Sequence, residues 1–475
     1  MGKISSSRRY TALLVFALAV PGCATTIPDP TEPTVLVPQE WALSDPAPIS
    51  LSIAEYWTLL DDPLLTQFVI QSIIENRDIA QAAARLDQSQ AQLRGARAGY
   101  FPTVSANGNV SRDVGDFSQG DFQFGLGADA SWELDLFGQI SGNVAAAEAE
   151  LLASGYSLAD LQRLIVGRVA TSTVNARAIA EQLRIARETL AYQDENLQIA
   201  RWRNQAGLVS SLDVEQARAQ RAQTAATIPL LESQLAATAN SISTLIGEAP
   251  GRVYVALEES AGVPNPVELA GFEAPAEVLA RRPDVRAAEA SLVAASARIG
   301  VARSQLLPLV RLGGSINTGS VGIGSLFDVI TGTLFAGVNQ LLFDGGRTAA
   351  QVDSAEAAAR GSLAAWEQSI LLALEEVESA AVDQRAASQR VLITREAVDA
   401  ADNSAILARS QYQAGLTDFQ TLLQVENQLL SARNQLVGAE ADRATSFVRL
   451  SQALGGGWDT RTVGNASLTE GTTNE

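Results

Sequence analysis

The side chains that could do chemistry in this sequence are nearly all carboxylates. Two of them, Glu133 and Asp135, stand two residues apart, and a carboxylate pair is the catalytic set of glycoside hydrolases. The chain has no histidine and one cysteine, Cys23, which excludes imidazole bases, Ser-His-Asp triads, His-ligated zinc and intrachain disulfides. Because nothing in the sequence supplies a substrate cleft around the two carboxylates, we predict no enzymatic activity, no metal and no cofactor.

The charge balance argues against a nucleic-acid partner. Among 475 residues, 34 are Lys or Arg and 53 are Asp or Glu, which gives a formal net charge of −19. Binding to nucleic acid requires clustered Lys and Arg that neutralise phosphates. The sequence therefore predicts that the protein binds no nucleic acid.

The single cysteine lies at the end of an export signal. Basic residues near the N-terminus precede an apolar run at 13–20, which is too short to cross a bilayer as a helix, since that takes ~20 residues. A small residue before a lone cysteine resembles a bacterial lipobox, where cleavage leaves Cys23 carrying a diacylglycerol. The alternative is an ordinary signal peptide and an incidental cysteine. Ala24 in place of an aspartate favours the outer membrane, so we predict a lipid-anchored outer-membrane protein that extends into the periplasm.

The sequence contains an internal duplication. Asp78–Pro102 aligns without gaps on Asp284–Pro308, 206 residues later, and Gln205–Leu208 aligns on Gln413–Leu416, 208 residues later. A register kept over ~170 residues with one slip of two residues indicates two half-molecules of one design. The predicted division is a signal peptide (1–22), a lipid-anchored proline-rich segment (23–55), a first repeat (56–250), a linker (251–275), a second repeat (276–457) and a polar tail (458–475).

Each half has the pattern helix, two strands, very long helix, turn, shorter helix. The run from Phe122 to Leu136 alternates apolar and polar residues, and strands of ~10 residues with this alternation are typical of transmembrane β-barrels. An amphipathic strand of a soluble sandwich is the alternative. The second half predicts a strand from Val310 to Asn317 and a less regular one from Thr333 to Phe343. Four strands cannot close a barrel, because the smallest have about 8, so a membrane location predicts an oligomer.

The long helices are predicted from about Ser141 to Gln205 and from Arg347 to Gln413. At 1.5 Å per residue each reaches roughly 100 Å. Neither contains proline, and two heptad seams on the first helix indicate packing against neighbours on both sides. These seams favour a ring of coiled coils, and an antiparallel coiled-coil hairpin without a ring is the alternative.

Several motifs together resemble one known family. They are WTLLDDPL (57–64), WELDLFG (132–138), RPDV (282–285), ASARIGVA (295–302) and LGGGW (454–458). In these motifs the chain resembles outer-membrane efflux lipoproteins of the TolC/OprM-like, NodT-type class. The resemblance implies a mainly α, internally duplicated fold with a membrane β-barrel portion. Four strands per chain would close a 12-stranded barrel in a homotrimer, and the long antiparallel coiled-coil helices would form a periplasmic α-barrel.

The resemblance also implies a function and partners. Such proteins are passive exit ducts for small molecules such as drugs, fed by a periplasmic adaptor (a membrane fusion protein) and an inner-membrane pump of the RND type. The duct would contact outer-membrane lipid. A type I protein-secretion channel remains an alternative, and a coiled-coil structural lipoprotein without a pore is another.

Site residues follow from the two turns that end the long helices. Gly207 and Gly415 can adopt positive φ cheaply, which suits a turn between helices. By the resemblance, both turns dock the adaptor. Their residues are Gly207, Leu208 and Val209 in the first half and Gly415, Leu416 and Thr417 in the second.

The resemblance further places a closing aperture beside these turns. Asp213 and Tyr412 align with residues of this aperture, and a hydrogen bond from the Tyr412 hydroxyl to the Asp213 carboxylate would hold the closed state. Many relatives have acidic residues at the positions of Thr421 and Gln424. This chain has none there, so we expect either a weaker constriction charge or one moved to Asp213 and Asp418. We also expect Glu133 and Asp135 on the polar, lumen-facing side of the second strand.

Overall fold

The structure is a computed structural model that describes residues 33–42, 53–112, 114–115, 121–258, 262–267 and 273–458. The signal peptide, Cys23, much of the proline-rich segment and the tail after residue 458 lie outside the described residues. Among the described helices, none is both long enough and apolar enough to cross a membrane.

The two halves of the chain contain matching elements. In the first half these are helices α1 (Pro63–Glu75) and α2 (Arg77–Ala98), strands β1 (Thr103–Arg112) and β2 (Phe122–Leu134), and helices α3 (Gln139–Gln205) and α4 (Ser211–Leu245). Two short helices follow, α5 (Arg252–Glu258) and α6 (Pro275–Arg281). The second half has α7 (Pro283–Ser304), β3 (Leu309–Ser320), β4 (Ile330–Asn339), α8 (Arg347–Gln413) and α9 (Phe419–Ala453). The mainly α, duplicated fold is confirmed, because equivalent helices have equal lengths of 22, 67 and 35 residues.

The chain folds into two compact units. The first includes Leu86–Ser154 and Ala287–Glu367 and contains the four strands. The second includes Val35–Arg85, Gly155–Arg286 and the chain from Gln368 onward, and it is helical.

The slip of two residues between the halves falls where each long helix begins. Leu136-Phe137 and Leu342-Phe343 are 206 residues apart, whereas the first residues of α3 and α8 are 208 apart. The second half therefore adds Asp344 and Gly345 at this junction. The Asp344 carboxylate accepts hydrogen bonds from the amides of Gly346 (3.0 Å) and Thr348 (2.8 Å), so the added residues supply the cap of α8.

The prediction that Asp135 lies on the polar face of the second strand is wrong. Strand β2 ends at Leu134, and the Asp135 carboxylate accepts hydrogen bonds from the amides of Ile140 (3.0 Å) and Ser141 (2.8 Å). Partial burial opposes ionisation of Asp135, but these amide donors outweigh it and lower the pKa of the carboxyl. The free N–H groups at the start of α3 thus draw Asp135 out of the strand pattern.

The fourth strand also differs from its predicted position. It runs from Ile330 to Asn339, not from Thr333 to Phe343. Its antiparallel register with β3 pairs Ile330 with Thr318 and Asn339 with Leu309. Strand β4 therefore ends at Asn339, which pairs with Leu309, the first residue of β3.

The turns after the long helices have the geometry predicted for them. Gly207 and Gly415 both have a φ of 74°. The amide of Leu208 donates to the carbonyl of Arg203 (2.8 Å). In the second half, the amide of Leu416 donates to the carbonyl of Gln411 (2.8 Å). These bonds form a Schellman motif, which satisfies carbonyls at the helix end and requires a left-handed residue.

The residue just before α2 holds the C-terminal end of α4, and the residue just before α7 holds the C-terminal end of α9. The Asn76 side-chain amide donates to the carbonyl of Leu245 at the end of α4 (2.8 Å). At the equivalent place, the Arg282 guanidinium donates to the carbonyl of Ala453 at the end of α9 (3.0 Å). Arg281 adds hydrogen bonds to the carbonyl of Leu454. The RPDV and LGGGW motifs therefore contact each other.

Arg282 is a buried cation at the centre of a cluster of carboxylates. Its side chain is 1% exposed and lies 2.6 Å from the Asp284 carboxylate and 2.7 Å from that of Glu376. Burial opposes ionisation of Asp284, but the Arg282 guanidinium outweighs it and lowers the pKa of this carboxyl. Asp160 lies nearby, and burial raises its pKa despite its 2.7 Å ion pair with Arg163. This cluster holds the C-terminal end of α9.

The WTLLDDPL motif has a structural role in the same unit. The Asp62 carboxylate caps α1 by accepting from the amides of Leu64 (2.9 Å) and Leu65 (3.0 Å). The same carboxylate pairs with the buried guanidinium of Arg177 on α3 at 2.9 Å. One buried carboxylate thus fixes the start of α1 against the long helix.

Residues 33–38 of the proline-rich segment form neither helix nor strand, and the described part of the segment is held at several points. The amide and hydroxyl of Thr34 donate to the Glu367 carboxylate at 2.9 and 2.7 Å. The Trp41 side chain is buried, and its indole N–H donates to the carbonyl of Glu273 (2.7 Å).

Candidate functional site

The four strands form one antiparallel sheet in the order β1-β2-β3-β4. Successive side chains of a strand point to opposite faces, so the register decides which residues share a face. Phe124 of β2 pairs with Val110 of β1 and with Ser320 of β3, and Trp132 pairs with Leu312. The alternation in the sequence therefore yields two faces of different chemistry.

One face is apolar over almost its whole length, and we call it the apolar face. It contains, among others, Val104, Val110, Phe124, Leu126, Trp132, Leu134, Val310, Leu312, Ile316, Ile330, Leu334 and Val338. Aromatic residues stand at both ends of β2, with Phe122 and Phe124 at one end and Trp132 at the other. Strands with an outward apolar band between aromatic girdles are typical of transmembrane barrels.

The opposite face, the polar face, consists mainly of hydroxyl, amide and charged side chains and glycine. Asn107, Asn109, Asp129, Ser131, Glu133, Arg311, Ser315, Asn317, Thr331 and Thr333 belong to it. The Asn107 amide donates to the Asp129 carboxylate at 2.7 Å. Gly127 leaves room for its neighbours, because a side chain there would collide with those of Asn107 and Asn317. Glu133 lies on this face, as predicted, 4.0 Å from the Arg311 guanidinium.

Strands β1 and β4 are the two edges of the sheet. Within the described chain neither has a partner on its outer side, so each presents a row of free N–H and C=O groups. In a membrane such an edge is costly, because no water is available to hydrogen-bond it.

The two tip turns, Gly207–Val209 and Gly415–Thr417, expose leucines. Leu208 is 69% exposed and Leu416 is 79% exposed. Both turns have the Schellman bonds, and in the first turn the Asn204 amide also donates to the carbonyl of Val209 (2.9 Å). The structure therefore holds an apolar side chain outward at each turn.

The predicted hydrogen bond between Asp213 and Tyr412 is absent. The Asp213 carboxylate instead accepts from the amide of Ser210 (3.1 Å) in a capping box that begins α4. Tyr412 is only 5% exposed, and its hydroxyl has no hydrogen-bond partner among the described residues. The Asp213 carboxylate is therefore held at the start of its own helix and makes no bond to this hydroxyl.

Arg203 takes the place expected for Asp213. Its guanidinium lies over the Tyr412 ring, 4.6 Å from the centroid, and donates to the Tyr412 carbonyl at 3.1 Å. The Phe419 ring, at the start of α9, packs against the Tyr412 ring, and the two ring centroids are 5.5 Å apart. These contacts join the end of α3, the end of α8 and the start of α9.

A second contact between the same helices centres on Glu426. This carboxylate is buried and accepts from the Asn196 amide on α3 at 2.9 Å and from the Arg409 guanidinium on α8 at 3.1 Å. It lies near Thr421 and Gln424, which are both exposed and neutral. The acidic residue of this segment is therefore engaged in an ion pair between helices.

Asp418 is exposed but acts as a cap. Its carboxylate accepts from the amide of Thr421 at 2.7 Å, and this bond lowers the pKa of Asp418. Both carboxylates expected to supply charge at the aperture, Asp213 and Asp418, thus begin a helix on the far side of a tip turn.

Arg203, Arg409 and Glu426 were missed by reasoning from the sequence. A signal existed for Glu426, which interrupts the apolar stripe of α9 between Leu422 and Leu429. A charged residue on a buried stripe indicates an ion pair. Nothing local indicates the partners, because Asn196 lies 230 residues away in the chain.

Comparison with known proteins agrees with this geometry. A family model described as "Outer membrane efflux protein" matches residues 69–248 and 274–456. The probable efflux pump outer membrane protein TtgC of Pseudomonas putida is 31% identical over 95% of this chain and 96% of its own length. The outer-membrane channel OprN is 31% identical, with a TM-score of 0.80 over 90% of this chain and 99% of that one.

The open state of the MtrE outer membrane channel of Neisseria gonorrhoeae is also similar. It is 26% identical, with a TM-score of 0.77 over 90% of this chain and 98% of that one. These matches span both halves of the duplication, the sheet and the tip turns. The chain belongs to the outer membrane efflux protein family.

Proposed function

We propose that the protein is the exit duct of a tripartite efflux system. It passively conducts small molecules, such as drugs, that an inner-membrane RND-type pump and a periplasmic adaptor deliver. The observation that carries this proposal is the sheet with one apolar face, one polar face and two open edges. As a passive duct it would catalyse no reaction. Glu133 and Asp135 do not form a catalytic pair, because Asp135 caps a helix and Glu133 lies beside Arg311.

The open edges argue for a homotrimer. An edge of β1 can be satisfied in lipid only by the β4 edge of another copy, and closure removes every free edge. Three copies would give 12 strands, with the apolar faces toward lipid and the polar faces around a water-filled lumen. The long helices α3 and α8 would form a periplasmic α-barrel.

Cysteine pairing across the edges tests the trimer. We suggest Ser105→Cys on β1 together with Thr333→Cys on β4, and neighbouring registers, in a Cys23→Ala background. Within one chain β1 and β4 are separated by two strands, roughly 14 Å at about 4.8 Å per strand, which exceeds disulfide reach. Oxidation should give covalent trimers on a denaturing gel. A pair moved to the centre of the sheet should give none, and monomers at every register would refute closure.

The tip turns are proposed as the docking site for the adaptor. Gly207-Leu208-Val209 and Gly415-Leu416-Thr417 present rigid turns with exposed leucines, and apolar side chains of this kind need a partner to bury them. The double variant Leu208→Glu, Leu416→Glu should raise drug susceptibility while leaving trimers intact. Restoration by Leu208→Met, Leu416→Met would support an apolar contact, whereas unchanged susceptibility in the Glu variant would contradict it.

The region beside the turns is proposed as the aperture, with Asp213, Tyr412, Asp418, Thr421 and Gln424 around it. Arg203 stacked on Tyr412 would hold it closed in place of an Asp213 bond. Arg203→Ala should therefore raise the conductance of single channels in a planar bilayer. Tyr412→Phe keeps the ring and should change it little, so a larger effect of Tyr412→Phe would favour the hydroxyl instead.

The N-terminal processing is proposed on the sequence alone. The signal peptide (1–22) would be removed, and Cys23 would carry the lipid at the start of the proline-rich segment (23–55). The repeats (56–250 and 276–457), the linker (251–275) and the polar tail (458–475) complete the proposed division. Mass spectrometry of the mature N-terminus would test this, since an unmodified Cys23 would refute the anchor.

A further inference from the structure

The polar face of the sheet carries one aromatic side chain among its four described strands. Phe335 occupies a position in β4 where its neighbours on the same face are Thr333 and Gly337. The alternation of β4 would place a polar residue or glycine there. Phe335 is therefore an exception to the polar pattern of this face.

The register explains how the ring is accommodated. Phe335 pairs with Gly313 of β3, and a side chain at position 313 would collide with the end of the Phe335 ring. The ring therefore lies across the place where Gly313 lacks a side chain. It remains 52% exposed, so a large part of its surface faces outward from the polar face.

The surroundings of this ring are polar but not strongly charged. In the next row along the sheet Arg311 pairs with Gly337 and with Glu133, and these two opposite charges lie 4.0 Å apart. In the row on the other side Ser315 pairs with Thr333. Phe335 thus forms an isolated apolar patch on the polar face of the sheet.

We propose that Phe335 is a stacking site for planar aromatic solutes in the wall of the conduit. This rests on the proposed function, because the polar face must surround the lumen. Each copy would then contribute one ring at the same height of the barrel. Aromatic solutes stack on an exposed ring in offset or edge-to-face geometry, and cationic ones gain attraction to the ring face. In a lumen lined by hydroxyls and amides, such a ring is where these solutes bind.

A purely structural explanation exists, in which the ring only covers a glycine in the sheet. That role requires apolar bulk but no contact with solutes. Two measurements distinguish the explanations. One is the block of the channel by an aromatic solute, and the other is the effect of displacing the ring without removing it.

The test uses the full-length protein reconstituted in a planar bilayer, with ethidium as a planar aromatic cation and tetramethylammonium as a cation without a ring. Phe335→Ala should weaken the block of potassium current by ethidium about three- to ten-fold, as expected for one lost aromatic contact. Phe335→Leu should weaken it similarly, because it keeps apolar bulk but loses the ring. The effect of tetramethylammonium should not change.

Leu334→Ala is the matched control, since Leu334 is the next residue but lies on the apolar face. Ethidium block that is unchanged in Phe335→Ala, or retained in Phe335→Leu, would overturn the proposal. Gly313→Ala keeps every aromatic group but should push the Phe335 ring away from the sheet. This displacement should lower the small-ion conductance and alter the block by ethidium. A wild-type trimer that conducts no ions would instead refute the proposed function.

Discussion

Asn76 and Arg282 occupy equivalent positions in the two halves, yet they hold the ends of α4 and α9 by different chemistry. Asn76 is neutral and makes one bond to the carbonyl of Leu245, while its oxygen accepts from the amides of Asp78 and Ile79. Arg282 is charged and adds ion pairs to Asp284 and Glu376. The backbone geometry of the duplication was kept, and the polar side chains that stabilise it diverged.

The same comparison at the turns gives the opposite result. Gly207 and Gly415 have the same φ and the same pair of hydrogen bonds. A left-handed residue has few substitutes, because any Cβ is penalised there, whereas a helix end can be satisfied by any well-placed donor. Backbone constraints therefore limit divergence more than hydrogen-bonding needs do.

The largest difference between the halves should appear in Arg282→Met. This change leaves the part-buried Asp284 and the half-exposed Glu376 without their cation and the Ala453 carbonyl without a donor, which should cost about 3 kcal/mol of unfolding free energy. The measurement is the guanidinium unfolding midpoint of the detergent-solubilised protein. A loss no greater than that of the Asn76 variant would break the comparison.

Asn76→Ala should have a smaller effect of the same kind. It removes the cap of α2 and the donor to the Leu245 carbonyl but leaves no buried charge unpaired, so we expect about 2 kcal/mol. The same unfolding assay applies. Asn76→Ser serves as control, because a serine oxygen can still cap α2 while the side-chain amide that donates to the Leu245 carbonyl is gone.

Gly207→Ala and Gly415→Ala should cost about 1–2 kcal/mol each, from the left-handed conformation alone. No neighbouring atom lies within 4 Å of a Cβ at either position, so steric collision adds nothing. Equal losses would support the equivalence of the turns. Clearly unequal losses in thermal unfolding would show that one turn is held by contacts absent from the other.

The smallest effect concerns pH. The pKa of Asp284 is lowered in the folded protein, so its stabilisation is present above its unfolded pKa of about 4 and is lost as pH falls through the folded value. Asp284→Asn should therefore lose less thermal stability between pH 5 and pH 3 than the wild type. Asp160, whose pKa is raised by burial, contributes with the opposite sign, so Asp160→Asn should lose more.

Much of the fold could be predicted because its signals are local. The glycines ended both long helices where expected, and period-two alternation assigned the faces of β2. Asp135 was placed on a strand because the alternation continues past Leu134, although the free amides of α3 compete for its carboxylate. The bounds of β4 depend on pairing with β3, which the strand's own residues do not encode.

The candidate site was less predictable because its contacts are distant in sequence. The aperture residues were placed by resemblance, which transfers positions but not partners. Arg203 lies 209 residues from Tyr412, and no pattern in either segment links them. The proposed stacking residue, Phe335, became visible only when the register placed it opposite Gly313.

The attachment of Thr34 to Glu367 sets a distance limit on the membrane anchor. Thr34 follows Cys23 by eleven residue steps, and a fully extended chain covers at most about 3.6 Å per step, or roughly 40 Å in all. If Cys23 carries the proposed lipid, the surface of the bilayer must lie within that radius of Glu367. Shortening the segment between Cys23 and Thr34 one residue at a time would therefore measure where along the protein the membrane begins.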